Sequence, residues 1–244
     1  MRENATALHD LNQVVNPVLL ALLLATDVAF ILLHILNSVL SWANPLLSLM
    51  TDGGYPEMFQ YIKEFWIAIA LFTLCWRTRQ GIYAPWGLLF IYLLCDDALR
   101  FHERGGWLLV SEWNYFRPAL GLRAVDFGEL AVSATAGLVF LVLIAFFYVR
   151  SSQSGKNMSK DLTLLLGLLV FFGIFTDMVH SLFKSLPVKG MITIEDGGEM
   201  IAMSLIAGYV VHLLERPRHV SVSLWSAAKA ALSSRLSQGA SARA

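Results

Sequence analysis

The sequence predicts an all-α protein, a polytopic helical bundle in a membrane. Hydrophobic residues make up 57% of the 244-residue chain, charged residues only 15%, and the mean hydropathy is +0.61. These values lie outside the range of soluble domains that have polar surfaces. The apolar residues form continuous runs rather than alternating with polar ones, which disfavours a strand barrel. Runs of about 20 residues also match the roughly 30 Å hydrocarbon core of a bilayer.

Six segments are long and apolar enough to be predicted as transmembrane helices. They cover approximately residues 14–41, 63–78, 83–102, 124–149, 161–183 and 193–214. Together they predict one transmembrane bundle over residues 1–216. A basic cytoplasmic tail follows over residues 217–244, and it is either an amphipathic helix at the membrane surface or a partly disordered segment.

The connections between these segments carry their own signals. Residues 43–62 include Asn44-Pro45 and Asp52-Gly53-Gly54, which are turn signals and predict an outer loop. Residues 104–123 carry an interfacial aromatic cluster and predict a second outer loop. Residues 151–157 predict a short flexible cytoplasmic link. The two cysteines, Cys75 and Cys95, are expected near opposite membrane faces and therefore as free thiols.

The distribution of charge predicts the orientation of the bundle. With a cytoplasmic N-terminus, 11 of the 18 Lys and Arg residues fall on the inner side. This agrees with the positive-inside rule and predicts that both termini are cytoplasmic. The acidic residues, which the rule does not use, fall the other way, with 13 of 18 at outer helix ends or in outer loops. The sequence therefore predicts an outer side rich in carboxylates.

The third and fourth segments resemble the fifth and sixth, which predicts a parallel repeat of two helical hairpins. In each hairpin the first helix ends with an Asp and a His, and the second begins with Asp-x-Gly-Glu. These residues are Asp97, His102, Asp126 and Glu129, then Asp177, His180, Asp196 and Glu199. An axis along the membrane normal would bring the four helix ends around one site. A chance match of so short a pattern is the alternative.

This concentration of carboxylates predicts a site for a divalent metal ion. Carboxylates that lie close together in a low-dielectric region must be protonated, paired or metal-bound. Mixed Asp, Glu and His ligands suit zinc, manganese or iron, and residues three or four apart share a helix face. The candidate ligands are Asp97, His102, Asp126, Glu129, Asp177, His180, Glu195 and Glu199. Glu129 and Glu199 are the candidate general bases.

Several functions are compatible with such a site. A bound metal would activate water for hydrolysis of a lipid-like substrate. The same acids could instead bind a cation or carry protons in a carrier, and an accessory subunit of a membrane complex is a third reading. The structural alternative is a solvated rim whose carboxylates cap helix N-termini. Asp27 and His34 lie seven residues apart on one helix face and are expected to bond to a neighbouring helix.

Membrane lipids are the expected partners. The 18 basic and 18 acidic residues balance, so the overall charge does not favour nucleic acid. The oligomeric state is not indicated.

Four motifs carry a resemblance to known proteins: Gly54–Trp66, Asp96–Glu103, Asp126–Glu129 and Glu195–Glu199. They resemble those of a group of uncharacterised bacterial multi-pass membrane proteins. This resemblance covers most of the bundle and implies a bacterial inner (plasma) membrane location, but no activity. A more distant resemblance is to the alkaline ceramidase and adiponectin-receptor-like membrane hydrolases, and it implies zinc held by Ser, Asp and three His. This chain has no His-x-x-x-His pair and six rather than seven predicted helices.

Overall fold

The computed structural model describes residues 16–42, 44–119, 122–175 and 188–215, and this part of the chain contains seven α-helices and no strand. The helices are α1 (Pro17–Val39), α2 (Tyr55–Thr78), α3 (Tyr83–Leu99), α4 (Phe101–Ser111), α5 (Ala124–Val149), α6 (Gln153–Val170) and α7 (Val188–Glu215). A 3-10 turn, Pro45–Leu47, precedes α2, and a π-helical turn, Phe171–Phe175, extends α6. The predicted all-α class is confirmed. Residues 1–15 and the predicted tail at 217–244 lie outside the described residues.

Four of the described helices are long and apolar enough to cross a membrane: α1, α2, α5 and the part of α7 from Thr193 to Glu215. These four match four of the six predicted spans and are consistent with a membrane protein. The other two predicted spans correspond to α3, which has 17 residues, and to α6, whose first turns are polar. The count of six spans and the position of the termini therefore stay predictions.

Helices α2 and α7 form the centre of the bundle. Ile67, Leu71 and Leu74 of α2 are fully buried, as are Ile206 and Val210 of α7. Helix α2 packs mainly on α3 and α7, and α7 also contacts α1 and α6. Because α2 and α7 bury these apolar side chains at the centre of the bundle, polar side chains on the same two helices are buried as well.

Helix α5 lies at the periphery. Gly128 is its one buried residue among those described, and Leu138, Val139, Leu141 and Val142 are exposed over much of their surface. A helix this apolar with so little of its surface covered by protein is typical of one that faces lipid. Its main contact is with α4 at its N-terminal end.

The α4–α5 contact depends on two glycines. A methyl group on Gly106 would lie 2.5 Å from the backbone nitrogen of Glu129. One on Gly128 would lie 2.6 Å from the carbonyl oxygen of Gly106. The absence of side chains at these two positions lets the backbones touch and fixes where α5 begins beside α4.

Two predicted outer loops are partly helical, which corrects the predicted boundaries. Helix α2 begins at Tyr55 rather than at residue 63, because Gly54 ends the extended approach and Pro56 lies in the first turn, where proline is compatible with a helix. Helix α4 occupies the first half of the predicted loop at 104–123. Arg100 separates it from α3 in a left-handed conformation with φ of 54°.

The predicted flexible link at 151–157 is also helical from Gln153 onward. Ser152 is the N-cap residue of α6, and its hydroxyl accepts a hydrogen bond from the backbone nitrogen of Gly155. A serine N-cap satisfies one of the free N–H groups of the first turn, which explains why a polar stretch starts a helix. Cys75 and Cys95 are free thiols, as predicted.

Candidate functional site, an acidic cavity with an apolar end

A cavity of about 340 Å³ lies between α2, α3, α5, α6 and α7. Its polar lining residues sit near the C-terminus of α3, at the start of α4, near the N-terminus of α5, in the second and third turns of α2 and in the middle of α7. They are Gln60, Glu64, Asp96, Asp97, His102, Asp126, Glu129, Ser133 and Glu199. Most of its apolar lining residues lie one or more turns further into the same helices or belong to α6. These are Leu89, Leu93, Phe140, Leu166, Leu169, Val170 and Met203, whereas Leu122, Phe127 and Leu130 lie beside the acids at the start of α5.

A second cavity, of about 200 Å³, adjoins the polar end of the first. Gln60, Asp97, His102 and Glu199 line both cavities. The other walls of the second cavity come from residues 49–57, Arg100, Glu103 and Asp196. The carboxylates shared by the two cavities thus lie between an apolar interior and the loop end of the bundle.

His102 joins this site through Asp96. Its backbone nitrogen donates to Asp96 Oδ1 at 2.8 Å, and its Nδ1 lies 3.0 Å from Asp96 Oδ2. The left-handed Arg100 bends the chain between α3 and α4, and this bend places His102 on Asp96. The hydrogen bond to Asp96 raises the pKa of His102 above its usual value of 6.5, against the opposing effect of burial.

Asp126 serves as a helix cap. One carboxylate oxygen accepts from the backbone nitrogen of Arg123 at 2.8 Å, and the other accepts from the Arg123 guanidinium at 2.6 and 2.9 Å. A carboxylate in the first turn also interacts favourably with the positive end of the helix dipole. Helix capping, one of the two readings that the sequence left open, describes the contacts that Asp126 makes here.

A buried ion pair links three helices beside the cavity. Lys63 of α2 and Asp27 of α1 are both 0% exposed, and Lys63 Nζ lies 3.0 Å from Asp27 Oδ1. The ammonium also donates to the Met200 carbonyl at 2.8 Å and to Ser204 Oγ at 3.2 Å, and the Ser204 hydroxyl donates to Asp27 Oδ2. The expected bond from Asp27 to a neighbouring helix is confirmed. His34 Nδ1 accepts from the backbone nitrogen of Leu49 at 3.1 Å.

Glu64 is a second deeply buried acid, and unlike Asp27 it forms no salt bridge with a cation among the described residues. It is 1% exposed, and no N–H or hydroxyl group in the described part of the chain donates to either carboxylate oxygen. The same holds for Oε1 of Gln60, one helical turn earlier. The carboxyl group of Asp97 is hydrogen-bonded to that of Glu64, which requires a proton on one of the two, and Glu199 interacts with Glu64 electrostatically.

Five of the eight predicted metal ligands line the cavity between α2, α3, α5, α6 and α7: Asp97, His102, Asp126, Glu129 and Glu199. Glu195 lies two turns into α7 and is not among the lining residues of either cavity. Asp177 and His180 lie outside the described residues. Within the described ranges, no group of three or more His, Cys, Asp or Glu side chains is close enough to hold a metal ion. The metal ion and the parallel repeat stay predictions.

Sequence reasoning did not select Gln60, Glu64 or Asp96 for the site. A signal for the first two existed, because Gln60 and Glu64 are four residues apart and share one face of an otherwise apolar stretch of helix. Because residues 43–62 are predicted to form a loop, Gln60 is not assigned to the same helix as Glu64.

The described helices and the cavity define a helical protein with candidate membrane-spanning segments and an internal amphipathic cavity. The chain belongs to the family described as a domain of unknown function, DUF8692, whose model matches residues 14–213. No curated protein and no solved structure matches the chain.

Proposed function

We propose that this chain is a multi-pass protein of the bacterial inner membrane, with six spans and cytoplasmic termini, that binds a lipid-like amphiphile in the cavity between α2, α3, α5, α6 and α7. The observation that carries the proposal is the division of the cavity lining into a carboxylate and histidine end and an apolar end. Its volume of about 340 Å³ is within the range of about 300–1,000 Å³ that is typical of pockets for small ligands.

The arrangement of the helices also supports an amphiphile. The cavity lies between the buried centre of the bundle and α5, the helix with the least of its surface covered by protein. A lipid chain enters most readily past such a peripheral helix, while its polar end meets the acids at the N-terminus of α5. The exposed apolar side chains of α5 then face the lipid from which the ligand comes.

A blocking variant tests this proposal. Gly137 lines the cavity, and a methyl group added there would have no atom within 4 Å. Gly137→Phe adds an aromatic ring to the cavity lining at a position where its Cβ meets no described atom, and it is expected to abolish binding of a fluorescent single-chain alcohol to the protein in lipid nanodiscs. Gly167→Phe is the matched control, because Gly167 is equally open and does not line the cavity. Equal binding by both variants would refute the proposal.

Metal-dependent hydrolysis of the bound amphiphile is the second candidate function. The observation in its favour is that Asp97, His102, Glu129 and Glu199 line one cavity. Together with Asp177 and His180 they would hold a zinc, manganese or iron ion, and Glu129 or Glu199 would act as the general base. The metal would lower the pKa of bound water toward about 7 and so supply the nucleophile.

Metal analysis of the purified protein tests this second candidate. A stoichiometric metal ion that is lost in both Asp177→Ala and Glu199→Ala supports it. Glu112→Ala, at an exposed acid after α4, is the control and should retain the metal. Wild-type protein without metal, combined with normally folded variants, would rule the metal site out and leave the amphiphile site standing.

A further inference from the structure

Two residues that line the cavity between α2, α3, α5, α6 and α7, Gln60 and Glu64, carry three buried acceptor atoms to which no N–H or hydroxyl group of the described residues donates, and the Glu64 carboxyl is hydrogen-bonded only to another acid, Asp97. The three atoms are Oε1 of Gln60 and both carboxylate oxygens of Glu64. Gln60 is 7% exposed and Glu64 is 1% exposed, so bulk water does not solvate them. Leaving buried acceptors unsatisfied costs free energy, and it costs more for a charged group. The ligand of this cavity is therefore expected to supply donors.

The nearest cation cannot supply them. Lys63 directly precedes Glu64, but an ammonium group has three N–H donors. Asp27, the Met200 carbonyl and Ser204 accept three hydrogen bonds from it. Its charge is likewise matched by Asp27 at 3.0 Å. Glu64 therefore lies near the Lys63 ammonium but receives no hydrogen bond from it.

The rest of the lining favours a positive ligand. Among the described residues that line the cavity there are six carboxyl side chains, one histidine and no lysine or arginine. His102 is held by Asp96, and Asp126 is held by Arg123 from outside the lining. Acidic groups this close in a region shielded from water require a proton or a counter-charge.

From these contacts we infer that the polar end of the bound amphiphile is a protonated amine, which Glu64 and Gln60 accept as a head group. This inference rests on the proposed function. A primary ammonium has N–H donors for Gln60 and for the carboxyl pair of Glu64 and Asp97, and its charge offsets that of the surrounding acids. The alkyl chain would extend along Leu89, Leu93 and Phe140 toward α6.

Three probes of equal chain length test the inference: a long-chain primary amine, its N-acetyl amide and the corresponding alcohol. Binding is measured in nanodiscs of zwitterionic lipid, and binding to Gly137→Phe is subtracted as the part that does not depend on the cavity. The wild-type protein is expected to bind the amine about tenfold more tightly than either neutral probe, because hydrogen bonds to charged groups are the stronger ones. Glu64→Gln should remove this preference, and Glu112→Gln should keep it.

The outcomes separate the inference from the proposed function. If all three probes bind through the cavity with equal affinity, the amine head group is refuted and the amphiphile site stands. If no probe shows binding that Gly137→Phe abolishes, both are refuted. The comparison of head groups on the wild-type protein decides the question even where Glu64→Gln fails to fold.

Discussion

At the scale of single residues, the contacts of each carboxylate decide what it does. Asp126 is neutralised by Arg123 at a helix end, Asp96 holds His102, and Asp27 holds Lys63. Glu64 is as deeply buried as Asp27, but its hydrogen-bond partner among the described residues is another acid, Asp97. Because burial makes an acid without a counter-charge costly, this position is where a cationic ligand has most to gain.

The contact between Asp96 and His102 predicts a pH dependence. The hydrogen bond raises the pKa of His102 above 6.5 in the folded protein. The pair therefore stabilises the fold fully below the pKa of the unfolded chain, and this stabilisation is lost as the pH rises through the higher folded value. Asp96→Asn should lower the pKa of His102, as measured by NMR titration of labelled histidine side chains.

Glu103→Gln is the comparison variant for this titration. Glu103 also raises the pKa of His102, but by a smaller effect than that of Asp96. The pKa of His102 is expected to be highest in the wild type, lower in Glu103→Gln and lowest in Asp96→Asn. A titration in which Asp96→Asn leaves the pKa of His102 unchanged would contradict the described pairing.

The ion pair of Asp27 and Lys63 predicts a large loss of stability. Lys63→Met leaves the Asp27 carboxylate buried without a cation, which is expected to lower the free energy of unfolding by about 3–5 kcal/mol. The double variant Asp27→Asn with Lys63→Met should recover part of that loss, since no charge then remains buried. Unfolding in mixed detergents measures both changes.

Lys160→Met is the control, because Lys160 is exposed on α6. It should change the free energy of unfolding by less than about 0.5 kcal/mol. A loss in Lys63→Met no larger than that of this control would show that the pair does not hold α1, α2 and α7 together.

At the scale of helices, two features build the polar end of the cavity. Helix α2 starts at Tyr55, so Gln60 and Glu64 lie in its second and third turns rather than in a loop. The left-handed Arg100 ends α3 and turns the chain into α4, which carries His102 back toward Asp96. A continuous helix from residue 83 to 102 would separate these two side chains.

The contact of α4 with α5 sets the position of Glu129. Gly106→Ala would place a methyl group 2.5 Å from the backbone nitrogen of Glu129, so the two helices must move apart. We expect a loss of about 1–3 kcal/mol in the free energy of unfolding, as for other overpacked positions. Unfolding in mixed detergents measures it.

Gly167→Ala is the matched control, because a methyl group there meets no atom within 4 Å. Replacing an interior helix glycine by alanine should leave stability unchanged or raise it by up to about 1 kcal/mol. If Gly106→Ala behaves like this control, the backbones of α4 and α5 are not in contact.

At the scale of the whole molecule, α5 connects the two ends of the bundle. Its 26 residues extend about 39 Å at 1.5 Å per residue, which exceeds the roughly 30 Å core of a bilayer. The polar groups of the cavity lie near its first residues, and Arg150 follows its last. The charge distribution of the sequence predicts that the first end is external and the second cytoplasmic.

Cysteine labelling tests this orientation. Cys75 and Cys95 are first replaced by serine, and single cysteines are then introduced as Trp113→Cys or Ser152→Cys, at exposed positions near opposite ends of α5. A reagent that does not cross membranes should label the first in intact cells and the second only after permeabilisation. The reverse pattern would overturn the predicted orientation.

The sequence by itself determined the helical class and the position of the acids at helix ends, because hydropathy and segment length are local properties of a chain. It also placed Asp97, His102, Asp126, Glu129 and Glu199 in one candidate site, and all five line one cavity. The turn signals before Tyr55 predict a loop that extends to residue 62, but the helix begins at Tyr55. Gly and Asp residues indicate that a turn occurs, and they do not indicate at which residue the next helix begins.

Only the tertiary structure decided which of these groups are paired. Lys63 meets Asp27 across 36 positions in sequence and Ser204 across 141. No periodicity within one helix reports such contacts, because they depend on how α1, α2 and α7 pack together. The same packing buries Glu64 beside Asp97 and encloses the cavity. What distinguishes Glu64 from the other acids is therefore a property of the bundle and not of its own segment.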